Sequence, residues 1–210
     1  MIFNKEDRIC IFTPPKNGTI SLQNFLIGSR PLNFEGAPRI DENQKWFVVY
    51  DQMHGYPEIL INRYPNLLEY KTFVFLRNPL ARFESFVLYL KQKYKDRLQE
   101  TFDKVGVTKS IEEFSYEDMI DLIDRLPGTF KIFTDPQTKW MQHPGTEILD
   151  FDNFASEVCC VTGKTGEVPQ MNKSSDWGKS VITDRVRAFV REKYAVDYAL
   201  AKDRLGKDYA

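Results

Sequence analysis

Cysteine and histidine are scarce: the 210 residues hold three of the first and two of the second. So few ligands leave no Cys/His cluster to seat a metal ion. The odd cysteine count, with Cys159 and Cys160 adjacent in a helical pattern, argues against a disulfide framework and for free thiols in a reducing compartment. No apolar run is long enough to span a bilayer, and no cleavable signal opens the chain. Neither sign of charge is in excess, with 29 Lys and Arg against 30 Asp and Glu, which argues against a general nucleic-acid binder. Repeats, low-complexity segments and linkers are also missing. What remains is a chain long enough for one domain, residues 1–210, with a sizeable core.

The most informative segment is Ile11-Phe-Thr-Pro-Pro-Lys-Asn-Gly-Thr-Ile-Ser-Leu22. A β-type apolar run ends in a short polar loop, and a helical pattern follows at once. Such a junction offers an anion the free N–H groups and positive dipole end of a new helix. Lys16 adds a full charge, and Thr19 and Ser21 add hydroxyls. The nucleotide P-loop order G-x-x-x-x-G-K-[ST] is absent, because Lys16 precedes Gly18 and no glycine precedes Lys16 in the loop. A plain strand-turn-helix connection with a solvated lysine is the competing reading.

A second segment repeats the pattern. Lys71-Thr-Phe-Val-Phe-Leu76 reads as a buried strand, and Asn78 and Pro79 open a helix behind it. Arg77 therefore stands where strand becomes helix. At about 100° per residue, Phe83, Phe86, Val87 and Leu90 form the core face, and Arg82, Ser85 and Tyr89 share a neighbouring one. If the two strands are parallel, Lys16 and Arg77 emerge at one sheet edge, where open α/β sheets bind ligands. Two cations with nearby hydroxyls suit a ligand carrying two separate anionic groups. Surface ion pairs of Arg77 and Arg82 with Glu84 or Asp residues are the alternative.

These residues resemble the cofactor signatures of sulfotransferases that use 3′-phosphoadenosine 5′-phosphosulfate (PAPS), most closely the carbohydrate, Golgi-type branch. Pro15-Lys16-Asn17-Gly18-Thr19-Ile20-Ser21 is similar to that family's 5′-phosphosulfate loop except at Ile20, where a hydroxyl residue is usual. Arg77-Asn78-Pro79-Leu80-Ala81-Arg82-Phe83-Glu84-Ser85 resembles its 3′-phosphate motif throughout. Asp135-Pro136-Gln137-Thr138 is similar to its Pro-Gln element, and Glu147 to Phe154 to its strand leading into a late helix. Pro169-Gln-Met-Asn-Lys-Ser174 resembles a late Asn-x-Ser element, placing Asn172 and Ser174 near the cofactor. The likeness runs in order from about Ile9 to about Tyr198.

The resemblance implies a single P-loop-like sulfotransferase domain, PAPS as cofactor with PAP as its product, and no metal. It places Lys16, Asn17, Gly18, Thr19, Ile20 and Ser21 on the phosphosulfate, and Arg77 with Ser85 on the 3′-phosphate. It also points to His54, in Tyr50-Asp-Gln-Met-His-Gly-Tyr-Pro57, as the general base. Imidazole suits that task chemically, because the acceptor hydroxyl must lose a proton as it attacks sulfur. Glu58 is the fallback, and His143, among turn residues, reads as surface loop. A sugar hydroxyl is the acceptor class implied, on a small molecule or a glycan. A small-molecule kinase and an inactive nucleotide-binding module are the rival functions.

Golgi relatives carry an N-terminal membrane anchor, and this sequence begins its first strand almost at once. The expectation is a compact cytoplasmic enzyme, microbial or viral, with a piece cut down to its catalytic domain as the alternative. Strands are expected near Arg8–Thr13, Trp46–Tyr50, Thr72–Leu76, Phe130–Phe133 and Glu147–Phe151. Helices are expected near Ser21–Ile27, Pro57–Tyr64, Pro79–Tyr94, Tyr116–Leu126, Asp152–Thr162 and Thr183–Arg204. Their alternation predicts an α/β fold with a central parallel sheet flanked by helices. Gly28–Gln44 and Gly163–Lys179 read as long loops. Trp46, Tyr50, Tyr56 and Trp177 are aromatic candidates for stacking on an acceptor, with core packing the simpler role for each. The basic stretch Lys91–Arg97 reads as a solvated helix face, or else as a greeting surface for an acidic acceptor.

Overall fold

The computed structural model describes residues 1–28, 45–48, 54–93, 95–104, 106–126, 128–170 and 181–209. Among them five strands form one sheet: β1 (Ile2–Asn4), β2 (Ile9–Phe12), β3 (Trp46–Val48), β4 (Lys71–Leu76) and β5 (Glu147–Asp150), in the order β3-β1-β2-β4-β5. β2, β4 and β5 run parallel, whereas β1 is antiparallel to both β2 and β3. The expected parallel sheet is therefore a mixed one. The reason is local: only four residues link β1 to β2, and a connection that short closes a hairpin but cannot make a parallel crossover. Asn4 holds the turn, its side-chain oxygen accepting from the amides of Glu6 (2.9 Å) and Asp7 (3.1 Å).

Alternation along the parallel strands sends side chains to both faces. Phe73 and Phe75 of β4 join Ile11 and Leu149 against helices α1 (Thr19–Ile27) and α7 (Phe154–Thr162), with Leu22, Phe25 and Val158 filling the layer. Val74 joins Cys10 and Phe12 against α2 (Pro57–Arg63) and the 3₁₀ turns Pro65–Glu69 and Gln137–Trp140, through Leu60, Leu67 and Trp140. A third cluster is mainly helical, built by α3 (Pro79–Lys93), α4 (Lys95–Lys104), α5 (Tyr116–Leu122), α6 (Gly128–Thr134) and α8 (Asp184–Lys193), with Ile111 and Phe114 entering from the connection before α5. Phe83, Phe86, Phe102 and Phe114 are among its large buried members, each contributing about 2–3 kcal/mol by burial.

Two expected elements change. Phe130–Phe133 is helical, as part of α6, because its apolar residues divide between two cores: Phe130 enters the helical cluster and Ile132 packs under the sheet. A short apolar run does not by itself distinguish strand from helix. The single helix expected over Thr183–Arg204 is broken at Tyr194, a buried residue at φ −113°, ψ 27°, into α8 and α9 (Ala195–Leu205). That break turns α9 onto β5 and the 3₁₀ turn Gln137–Trp140. No helix among the described residues is long and apolar enough to cross a membrane.

Candidate functional site

Because β2, β4 and β5 are parallel, the residues that follow them leave the sheet at one edge. Those residues are Thr13 to Gly18, Arg77, and Phe151. Lys16 and Arg77 are thus brought together, as the two segments imply. The guanidinium Nη1 of Arg77 donates to the Lys16 carbonyl at 2.7 Å. Lys16 and Arg77 are half-buried, and among the described residues neither forms an ion pair. Burial, reinforced by the charge of Arg77, lowers the Lys16 ammonium to about 8. Its Nζ lies 4.0 Å from the centre of the Tyr89 ring, and the Arg77 guanidinium lies 4.9 Å from that of Phe151. Burial lowers Arg77 as well, with Glu84 and Asp152 acting in the opposite sense through space.

The loop between them is held in an uncommon backbone path. Lys16 takes φ 71° and Gly18 takes φ 73°, both in the left-handed region. Gly18 is obligatory on a second ground: a Cβ there would lie 2.8 Å from Cζ of Phe154. Helix α1 starts immediately after it, and its first internal bond runs from the Leu22 amide to the Gly18 carbonyl at 2.9 Å. The amides of Thr19 and Ile20 consequently have no partner within the helix. Thr19 Oγ1 is buried beside them with no hydrogen-bond partner among the described residues. The first turn carries no acidic side chain. Donors without partners among the described residues, two cations and a helix N-terminus without a carboxylate form a site that suits an anion.

Asn17 faces inward: its Nδ2 donates to the Phe75 carbonyl (2.6 Å) and to Oε1 of Gln137 (2.7 Å). It is therefore a brace of the loop, 2 % exposed, whereas Lys16 is half-buried. Ile20 is half-buried and Ser21 buried. Ser85 is half-buried on α3, between Arg82, which reaches the Pro15 carbonyl, and Tyr89, which lies under Lys16. It therefore shares the helix face that borders the loop. Asn172 and Ser174 lie outside the described residues, as do Tyr50 and Trp177.

His54 reaches the same junction. Its Nδ1 lies 2.7 Å from the carbonyl of Thr13, three residues ahead of Lys16. A carbonyl only accepts, so Nδ1 carries the proton and Nε2 keeps its lone pair. Burial lowers the imidazole to about 4, opposed by that hydrogen bond and assisted by the cationic groups of Met1, Lys16 and Arg82. The ring is therefore neutral at pH 7. An aromatic wall joins it to the lysine: His54 packs edge-on to Phe133 at 6.1 Å, and Phe133 lies 5.7 Å from Tyr89. Glu58, by contrast, is exposed on α2. His143 is near Thr72, at the opposite end of β4, 3.3 Å from its hydroxyl.

Other residues around the site take roles that the sequence reading did not give them. Arg82 is 2 % exposed and, among the described residues, donates to backbone alone, from Nε to Pro15 (3.1 Å), Nη1 to Asp135 (2.9 Å) and Nη2 to Phe133 (3.3 Å). It is neither a ligand contact nor a surface ion pair. Gln137 and Asp197, both fully buried, stand directly behind the loop. The Pro-Gln element flags the first of these; nothing in the sequence flags the second, one acid among many on helices. Trp46 and Tyr56 serve packing, the first in the core and the second with its ring tilted against Trp140 at 4.9 Å. In the basic stretch, Lys91 donates to the carbonyls of Glu112 (3.3 Å) and Phe114 (2.8 Å), and Lys95 pairs with Glu112.

No protein-family model matches the chain, and neither a curated protein nor a solved structure does.

Proposed function

We propose that the chain is a PAPS-dependent sulfotransferase acting on an acceptor hydroxyl, with a carbohydrate as the favoured acceptor class. The observation that carries this reading is the pair Lys16 and Arg77. They are two half-buried cations without ion pairs among the described residues, joined through the Lys16 carbonyl at the start of a helix. A ligand with two separated anionic groups satisfies both. The orphaned Thr19 hydroxyl and the amides of Thr19 and Ile20 fit the phosphosulfate end. Arg77 commits one N–H to the loop and keeps the rest of its fork for the 3′-phosphate, with Ser85 on the bordering helix face.

PAPS, when bound, supplies the activated sulfuryl group and a phosphate leaving group. The chain's own residues then have defined tasks. His54 Nε2 takes the hydroxyl proton as the acceptor oxygen bonds to sulfur and the bond from sulfur to the phosphate oxygen breaks. The electron pair of that bond stays on the phosphate oxygen, where Lys16 stabilises it by donating a hydrogen bond or its proton. An ammonium lowered to about 8 is well matched to proton donation near neutrality. The wall of Phe133 and Tyr89 offers an apolar surface to a sugar face or a phenol between base and lysine.

The test is calorimetric binding of PAP, ADP and ATP, each with and without Mg²⁺. Tight, metal-independent binding of PAP with little for ADP is the expected result, followed by turnover of labelled PAPS in an acceptor screen. Preference for ATP with Mg²⁺ overturns the reading in favour of a kinase. PAP binding without turnover of any acceptor leaves an inactive nucleotide-binding module.

A further inference from the structure

We infer that Gln137, fixed by Asp197, is a positioning residue that sets the spacing between the Lys16 loop and Arg77, and so couples the two anion-binding ends of the site. The inference rests on the function proposed above for what the two ends hold, but its geometry does not.

The Gln137 carboxamide is 0 % exposed and uses its full hydrogen-bonding capacity. Its Oε1 accepts from Asn17 Nδ2 (2.7 Å) and from the Arg77 amide (3.0 Å). Its Nε2 donates to the Arg77 carbonyl (2.8 Å) and to Oδ2 of Asp197 (3.4 Å). Asn17 lies in the chain between Lys16 and Gly18, and Arg77 returns a bond to the Lys16 carbonyl at 2.7 Å. The result is a closed ring running from Lys16 through Asn17, Gln137 and Arg77 back to Lys16. A single amide thus bonds the loop and the end of β4 at once.

Asp197 keeps that amide in register. From the first turn of α9, its Oδ2 accepts the Gln137 amide (2.9 Å) and its Oδ1 the Thr138 amide (3.0 Å). It caps the 3₁₀ turn Gln137–Trp140, which has no side-chain cap of its own. The carboxylate is completely buried and is answered by N–H donors, with Arg82 acting through space. Because Gln137 is sealed from solvent, it acts on a ligand only through Lys16 and Arg77. A ligand held at both ends is sensitive to their spacing, whereas a ligand held at one end is not.

The experiment compares PAP, AMP and 3′-AMP as probes of both ends, the loop end and the Arg77 end. Gln137→Met keeps the volume and removes all four bonds, while Gln137→Glu keeps the acceptor for Asn17 and the Arg77 amide but turns the donor toward the Arg77 carbonyl and Asp197 into an oxygen. We expect Gln137→Met to weaken PAP by about tenfold or more and the two single-phosphate probes by about threefold or less, with Gln137→Glu in between. Equal losses for all three probes, or none for PAP, overturn the inference. The Lys16 ammonium, titrated by NMR, is the second readout: it should move from about 8 toward its ordinary value in Gln137→Met. If the unmodified protein binds no PAP, the sulfotransferase reading fails and this titration alone decides the role of Gln137. An unchanged Lys16 titration then overturns it. Should Gln137→Met fail to fold, the same measurements on Gln137→Glu decide.

Discussion

The Nε of Arg82 donates to the carbonyl of Pro15 at 3.1 Å, across 67 residues of sequence. With its two further bonds to the carbonyls of Asp135 and Phe133, this buried guanidinium ties the first loop to the end of α6. An arginine that the motif presents beside Arg77 is thereby a structural clamp. Removing it strands three backbone carbonyls in the interior. Arg82→Met should cost about 3 kcal/mol or more, read from urea unfolding, and Arg82→Lys should recover only part because an ammonium cannot reproduce the planar fork. A variant as stable as the parent would show that the carbonyls find other donors.

The two perturbed groups of the site set its pH behaviour. His54 stays neutral until pH falls toward 4, and Lys16 loses its proton near 8. The profile of kcat/KM should therefore be bell-shaped, with an acid limb near pH 4 rather than at the ordinary imidazole value and an alkaline limb near 8. In His54→Ala the acid limb should vanish, kcat should fall by roughly 10²–10⁴, and PAP should bind as before. Steady-state rates across about pH 3.5–10 are the check. Full activity in His54→Ala would remove the base from the mechanism.

Gly18 answers to both backbone and space. Its φ of 73° and the 2.8 Å approach that a Cβ would make to Phe154 combine. Gly18→Ala should destabilise the fold by about 1–3 kcal/mol and weaken PAP by about tenfold or more, as the start of α1 shifts. Thermal melts with and without PAP separate the two effects.

Lys16 should be a stability liability in the absence of ligand. Its folded value near 8 lies below the ordinary 10.5, so between those pH values the unfolded chain holds a proton that the folded chain has released. Stability from this group therefore rises with pH across that window, and below pH 8 the folded state carries the whole cost of the buried charge. Lys16→Met should raise stability at pH 7 by roughly 1 kcal/mol after solvent screening, and the gain should fade as pH approaches 10.5. Denaturant midpoints at pH 7 and 10 test the sign; a loss at pH 7 would contradict it.

Local chemistry wrote part of this molecule legibly into the chain. Thr19–Ile27 and Pro79–Lys93 form helices near their expected limits because apolar periodicity and the residues at their starts agree. β4 follows from an apolar run bounded by a charged residue at each end. The Lys16 loop and Arg77 could be paired before the fold was known, since both follow strands and precede helices. By contrast, Phe130–Phe133 reads from sequence as a strand and is a helix, because a short apolar run carries no period and only the two cores it joins make it helical.

By itself the sequence determined where the chain turns from strand to helix, which residues are cationic at those turns, and which positions are apolar. Those properties are set within a few residues, by propensity, capping and steric freedom. Only the tertiary structure decided that the sheet is mixed and that Arg82 supports the loop instead of a ligand. It also decided that His54 shares a wall with Lys16. The placement of Gln137 between Asn17, Arg77 and Asp197 belongs to the same category. Each depends on partners dozens of residues away, and a buried hydrogen bond takes its meaning from what packing brings to it. The same arginine, glutamine or aspartate, left at the surface, would have meant little.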